Sequence, residues 1–184
     1  SNIVVIDPHG EYSHALKDSA SVRSVLAIAD NRLRVPYWAL PASDIIRIFA
    51  GTLGGATFAN RFAELVVAAR RTFVEDADWL TIDPTTITAD TPIPFDIGPV
   101  WHILDSENRE TRRSKGDPNT ACLTNPGDPA TLRAAEFEPY GPGGQPPHQS
   151  PMYGAYGTTP DLLRFGLLEP QLYFFQEPLG DPKG

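Results

Sequence analysis

Four consecutive apolar β-formers occupy residues 3–6, and the run ends in an acidic turn, Asp-Pro-His-Gly-Glu-Tyr, at residues 7–12. An apolar run of this length bounded by turn residues predicts a strand buried on both faces. Its carboxylates sit at the carboxyl end, where open α/β sheets place their chemistry. Between residues 13 and 29 the apolar positions Leu16, Val22, Val25, Leu26 and Ala29 include pairs three and four apart, which suit one or two short helices. Residues 33–40, LRVPYWAL, read as an extended edge segment, because Pro36 is barred from a helix interior and lacks the N–H that an inner strand donates.

Ser43 stands where a helix cap belongs, ahead of DIIRIFA, and Gly51 stands where a terminating glycine belongs, so residues 44–50 are predicted to be a helix. The strongest periodicity comes next, at 58–74. There Phe58, Phe62, Leu65, Val66, Ala69 and Phe73 form one stripe behind a Thr57 cap, with Asn60, Glu64, Arg70 and Arg71 largely off it. Pro and Thr exclude regular helix over 83–99, until Gly98 and Pro99 open a third helix at 101–113. Arg112 and Arg113 would close that helix, where positive charge suits its dipole. Turn signals are nearly continuous from 114 to 160 and predict a long irregular connection. A helix at 161–168 capped by Thr159 and a strand at 172–175 close the chain, and there is no internal repeat. The expected fold class is therefore α+β, mostly helical and loop-rich, with one or two strands. Residues 1–50 would be a partial sheet-bearing core and residues 51–184 a helical, Pro/Gly-rich insertion.

Composition adjusts this picture in four ways. At 184 residues and 41% hydrophobic the chain can bury one sizeable core, while its 19 Pro and 15 Gly, mostly after Asp83, account for the loops. A net charge of -8 argues against strong nucleic-acid binding by this chain alone, since phosphate neutralisation needs clustered Lys and Arg. The single Cys122 excludes an internal disulfide and a cysteine-only zinc site, fits a reducing cytoplasm, and is expected to be an inert packing or surface residue. No apolar run approaches the roughly 20 residues of a membrane helix, so neither a signal peptide nor a span is expected.

The acidic turn carries the candidate chemistry. A phosphate-binding ATPase strand of this kind needs a glycine-rich loop with Lys and Ser or Thr, and no GxxxxGK[ST] stretch occurs in the chain. Yet VVIDPHGEYSHAL, joined some twenty residues later by LRVPYWALPASDIIRIF, closely resembles the central ATPase region of HerA-type translocases, in the HerA/FtsK group of P-loop motors. The two blocks cover about the first 50 residues. The remainder of the chain looks like a family-variable insertion leading back toward the core at 171–184.

The resemblance implies a fragment of an α/β P-loop ATPase. Its parent would be a ring-forming, ATP-dependent DNA translocase or helicase, with ATP and Mg²⁺ as cofactors of the parent and none in this piece. Partners would be the remainder of the ATPase, sister subunits and DNA held by the ring, with no membrane. The chain opens Ser-Asn directly before a core-quality strand and stops after an apolar run, which agrees with an excised segment. In such a site Asp7 would hold a metal-bound water or orient a basic side chain, and Glu11 would pair with a basic residue of a neighbouring subunit. Gly10 would allow a positive-φ turn, with His9 beside the nucleotide. The missing glycine loop and the missing Asp-Glu strand leave the isolated chain without ATP hydrolysis. An orphaned strand at 3–6 would find a partner across a homodimer or lattice contact.

Other readings stand beside this one. Asp before Pro is a common turn starter, which gives Asp7 a structural alternative. Asp7, His9, Glu11 and His14 also resemble the opening ligand set of a metal-dependent hydrolase, although the usual His-x-His pair is absent. Arg109, Arg112, Arg113 and Lys115 form the basic cluster, either a nucleic-acid contact or a solvated helix end offset by Glu107 and Glu110. The aromatics Tyr153, Tyr156, Phe165, Tyr173, Phe174 and Phe175 could stack bases or meet a partner, with core packing the default. A third hypothesis makes residues 52–184 a non-catalytic docking or oligomerisation module.

Overall fold

The computed structural model describes residues 7, 12, 15–22, 35–52, 54–113, 119–140, 147–170 and 172. The expected strand at 3–6 and its pairing across a dimer lie outside these residues, as do His9, Gly10, Glu11 and His14. Among the described residues the chain is α+β and helix-rich: four helices gather around one apolar core, and short antiparallel ladders fill the second half.

Helix α1 (Ala42–Ala50) buries Ala42, Ile45, Ile46, Phe49 and Ala50 on one face. Its amino end differs from expectation, for Ser43 is not the cap. The helix starts straight after Pro41, and the Ala42 N–H is satisfied by Asp90 Oδ1 at 3.0 Å, a carboxylate borrowed from a loop 48 residues away. Gly51 does end the helix, with φ of 66° and its N–H on the Arg47 carbonyl at 3.0 Å. The preceding segment is not an edge strand. Tyr37–Ala39 form a 3-10 turn between Pro36 and Leu40, because Tyr37 turns inward to join the core instead of alternating along a pleat.

Helix α2 (Ala56–Asp76) is the longest and buries Phe58, Phe62, Val66, Arg70 and Val74, an unbroken four-residue spacing. Two expectations are corrected here. Gly55 replaces Thr57 as the cap position, and Arg70 lies inside the buried stripe with no exposed surface. Beyond α2, residues 77–96 are irregular as predicted, apart from a 3-10 turn at Pro84–Thr86 that Asp83 caps on the Thr85 N–H. They close over a satellite core of Val74, Ile87 and Ile93.

Helix α3 (Ile97–Arg109) is capped by the Asp96 side chain on the Gly98 N–H at 2.9 Å and buries Trp101, Leu104 and Asp105. It ends four residues earlier than the periodicity predicts, so Arg112 and Arg113 do not sit on its dipole. Strand β1 (Thr111–Arg112) begins there instead, because Thr111 enters a ladder: its carbonyl accepts from Cys122 N at 2.8 Å and its Oγ1 donates to Glu138 O at 2.7 Å. Strands β2 (Leu123–Asn125) and β3 (Glu136–Phe137) pair antiparallel, as do β1 and β4 (His148–Gln149). The two ladders are separate two-stranded sheets, and an isolated bridge from Arg112 to Ala121 brings the chain before β2 alongside β1. The region expected to be irregular from 114 to 160 thus holds short strands. Their turn-rich two- and three-residue runs are too brief to show alternation. Cys122 is buried among them, as a packing residue.

Helix α4 (Thr159–Leu168) starts two residues before the predicted point, with Pro160 in its first turn and no side-chain cap from Thr158. Its buried face, Thr159, Pro160, Leu163, Gly166 and Leu167, lies on α1 and α3. Beyond it the Leu172 N–H bonds the Glu169 carbonyl at 3.0 Å, a tight turn where a strand was expected, and residues 173–175 lie outside the described set. The core runs across residue 50: Tyr37, Ile45, Ile46 and Phe49 share one cluster with Phe58, Phe62, Trp101, Leu104, Leu163 and Leu167.

Candidate functional site

Within the acidic turn the structure describes Asp7 and Tyr12. Asp7 is half-buried, and its Oδ2 accepts the Tyr12 N–H at 2.8 Å, closing the loop on itself. The bond starts a helical run, for Leu16 N bonds Tyr12 O at 2.9 Å and Ala20 N bonds Leu16 O at 2.8 Å. A carboxylate accepting from the backbone amide five residues on is a helix-capping contact, of longer span than the two-residue turn that Asp-Pro suggests. It also fixes where Asp7 stands at the start of the turn, so a structural role and a chemical one can coexist. Among the described residues no group of three His, Cys, Asp or Glu is placed to hold a metal.

The second block, at 35–50, is bolted to the helical body by two buried polar side chains. The Tyr37 hydroxyl donates to Phe95 O at 2.6 Å and accepts from Ile97 N at 3.2 Å, with its ring edge-on to Phe49 and Phe95. Burial, with Asp96 adding to it, pushes that phenol well above its ordinary range, while the Ile97 bond pulls the other way. Arg70 reaches from α2 to the Trp38 carbonyl at 2.8 Å, with longer contacts to Leu40 O and Thr88 O, and lies over the Phe95 ring at 5.2 Å. Among the described residues no carboxylate forms an ion pair with it. Burial lowers its pKa to about 10, with Asp90 partly offsetting the effect. Neither residue was among the predicted site residues. For Arg70 the signal was present, since it falls four residues after Val66 and four before Val74.

A polar network covers the carboxyl half of α3. Arg61 forks onto Glu107, with Nη2 to Oε1 at 2.6 Å, and the Tyr156 hydroxyl donates to Glu107 Oε2 at 2.7 Å. Its bond to Glu107 chiefly holds the Arg61 guanidinium charged, and burial chiefly holds the Tyr156 phenol neutral. Asn108 pins the turn at 154–157 through its amide to Gly157 O and from Tyr156 N, both at 2.9 Å. The predicted basic cluster is dispersed in this setting. Arg109 bridges Asp105 and Asp161, tying α3 to α4, while Arg112 pairs with Glu110 and Arg113 is exposed beside β1. Lys115 lies outside the described residues. Among the aromatics Tyr156 is buried, whereas Phe165 is 60% exposed.

Asp105 is 1% exposed, and its Oδ2 has no partner among the described residues. Burial raises its pKa, against the opposing bond and charge of Arg109, with Asp161 raising it further. The folded state therefore binds a proton that the unfolded chain has released. The stability this contributes is fully present below about pH 3.9 and is lost as pH rises through the raised folded value. Urea titrations of the parent and Asp105→Asn across that interval should show the parent losing stability relative to the variant as pH rises. The expected loss is about 1.4 kcal/mol for each unit of upward shift. A pH-independent difference would mean that Asp105 is solvated.

No curated protein matches the chain. The family model described as helicase HerA, central domain, matches residues 1–122 of the 184. That span contains the Asp7 turn, the Tyr37 segment, α1 to α3 and β1, and ends at Cys122. The likeness therefore extends well past the first 50 residues, and the helices α2 and α3 lie within the matched region rather than beyond it. Among the described residues no helix is long and apolar enough to cross a membrane. On this match the chain belongs to the HerA helicase central-domain family.

Proposed function

We propose that this chain contributes the acidic strand-end loop of an ATP-driven DNA translocase or helicase, working in the cytoplasm as part of a subunit ring. The family match over residues 1–122 carries this reading, because it takes in both the Asp-Pro-His-Gly-Glu-Tyr turn and the segment beyond it. Mg²⁺ with ATP would supply charge neutralisation at the transferred phosphate. Of the described residues Asp7 fits that chemistry as a hard oxygen donor held in place by its Tyr12 bond. Glu11 would reach a basic side chain of a sister subunit, Gly10 would let the loop turn, and His9 would line the nucleotide. The sequence has no GxxxxGK[ST] loop, so the β- and γ-phosphates would be bound by amides and a Lys from other polypeptide.

ATP hydrolysis by the 184-residue chain, alone and joined to polypeptide carrying a glycine-rich phosphate loop and an Asp-Glu strand, tests the reading. The chain alone should be inactive and the completed protein active. Asp7→Asn keeps an acceptor for Tyr12 N while removing the charge, and should lower kcat on the order of 10–100-fold with the fold intact. Hydrolysis by the chain alone, or full activity of Asp7→Asn, would refute it. A non-catalytic docking role for residues 52–184 is a second reading, favoured by the exposure of Trp79 at 62% and Phe165 at 60%.

A further inference from the structure

From Thr72 to Trp101 the chain has six carboxylates, Glu75, Asp76, Asp78, Asp83, Asp90 and Asp96, and no Lys, Arg or His. Three of them have structural work: Asp83 caps Thr85, Asp90 caps Ala42 and Asp96 caps Gly98. The other three, Glu75, Asp76 and Asp78, have no hydrogen bond or ion pair among the described residues. They crowd the carboxyl end of α2, where the helix dipole is itself negative and the last turn has no basic residue. The cation closest in sequence, Arg71, stands four residues before Glu75 but gives its Nε to the Pro84 carbonyl at 3.0 Å. Among the described residues the electrostatics of this turn thus oppose the fold and are left uncompensated, a pattern found where a surface serves something other than stability.

Directly after these carboxylates comes Trp79. Its neighbours Val74, Ala77 and Leu80 are drawn inward, and the chain is wound tightly there, with Ala77 N on Val74 O and Leu80 N on Ala77 O. The indole nevertheless stays outside, 62% exposed, the most exposed large apolar side chain among the described residues. An exposed indole that follows three exposed carboxylates within five residues of chain is complementary to one chemistry above others, an extended cation with an apolar stem. Lysine and arginine side chains stack on an indole face while their charge meets carboxylates. Nucleic acid is disfavoured, because six carboxylates without a base repel phosphate.

We propose that the turn at 75–79 docks a lysine- or arginine-rich segment of another polypeptide, with Trp79 as its aromatic anchor. The site needs no nucleotide, so it stands or falls separately from the ATPase reading. The test titrates the full chain with a short synthetic peptide of alternating Lys and Arg, followed by tryptophan emission and calorimetry. The peptide should perturb the exposed indole and bind in a salt-sensitive manner. Trp79→Ala should weaken binding about tenfold, as for an interface anchor. Asp76→Asn with Asp78→Asn should weaken it comparably. Glu136→Gln with Glu138→Gln removes the same charge from β3 and its flank, and should leave binding unchanged. Unchanged urea midpoints would show that each variant folds. Absence of binding, or equal weakening by both charge pairs, would overturn the proposal. So would preferential binding of duplex DNA, or a Trp79-dependent dimer of the chain without peptide.

Discussion

Gly166→Ala is expected to destabilise the protein strongly although it adds a single methyl group. At this residue α4 crosses α1 with no side chain between them. A Cβ on Gly166 would overlap the Phe49 carbonyl oxygen and lie 2.6 Å from the carbonyl carbon and 2.7 Å from Cα. All three atoms are backbone, so no rotamer change relieves the overlap, and the helices must separate. Separation loosens Ile45, Ile46 and Phe49 from Leu163 and Leu167, part of the most deeply buried core. Alanine's intrinsic helix preference over glycine, about 1 kcal/mol, acts in the opposite direction but is outweighed. Overpacking a well-filled interior costs typically about 1–3 kcal/mol and here, against backbone, the upper end or beyond. A net loss of about 3 kcal/mol in urea unfolding is expected. Stability equal to or above the parent's would show that the two helices can part at little cost.

Arg70→Ala is expected to be comparably harmful for a different reason. The side chain is fully buried and spends its guanidinium on the carbonyls of Trp38, Leu40 and Thr88 and on the face of Phe95. Truncation leaves those carbonyls without this donor and a cavity beneath Phe95, so a loss of about 3–5 kcal/mol is expected. Arg70→Met fills most of the volume and removes the cost of burying a charge, leaving the unpaired carbonyls as the main defect. About 1–3 kcal/mol should be lost. The pair separates the two contributions in one set of denaturation curves. If methionine proved as harmful as alanine, the hydrogen bonds, and not the space they occupy, would be what the segment at 36–40 depends on.

Much of the helical framework was legible in the sequence. The stripe Phe58, Phe62 and Val66 announced α2, and Gly51 announced the end of α1, since both signals are local. What escaped was governed by distant residues. The cap of α1 comes from Asp90, and no reading of the Pro41 neighbourhood could have found it. Tyr37 leaves an extended path because its hydroxyl has a donor and an acceptor waiting at Ile97 and Phe95, some 60 residues on. Thr111 enters a strand because Cys122 and Glu138 come alongside. Arg70 follows the four-residue spacing of the buried stripe, although its charge on its own argues for the surface. For the candidate site, the acidic turn stood out by composition alone, whereas the Asp7 bond to Tyr12 N spans five residues, further than the local turn that Asp before Pro suggests. The ion pairs that occupy Arg109 and Arg112 required Asp161 and Glu110 to be placed in space.

The pairing of α1 with α4 also dictates the order of events at the ribosome. Roughly 110 residues separate the two helices in sequence, and at synthesis rates of about 5–20 residues per second α1 waits many seconds for its partner. Through that interval the part of the Ile45, Ile46 and Phe49 face that α4 will cover stays open on a nascent polypeptide. Translation that stalls before Leu167 would therefore yield a product prone to capture by chaperones and proteases, even though its longest helix, α2, is already complete.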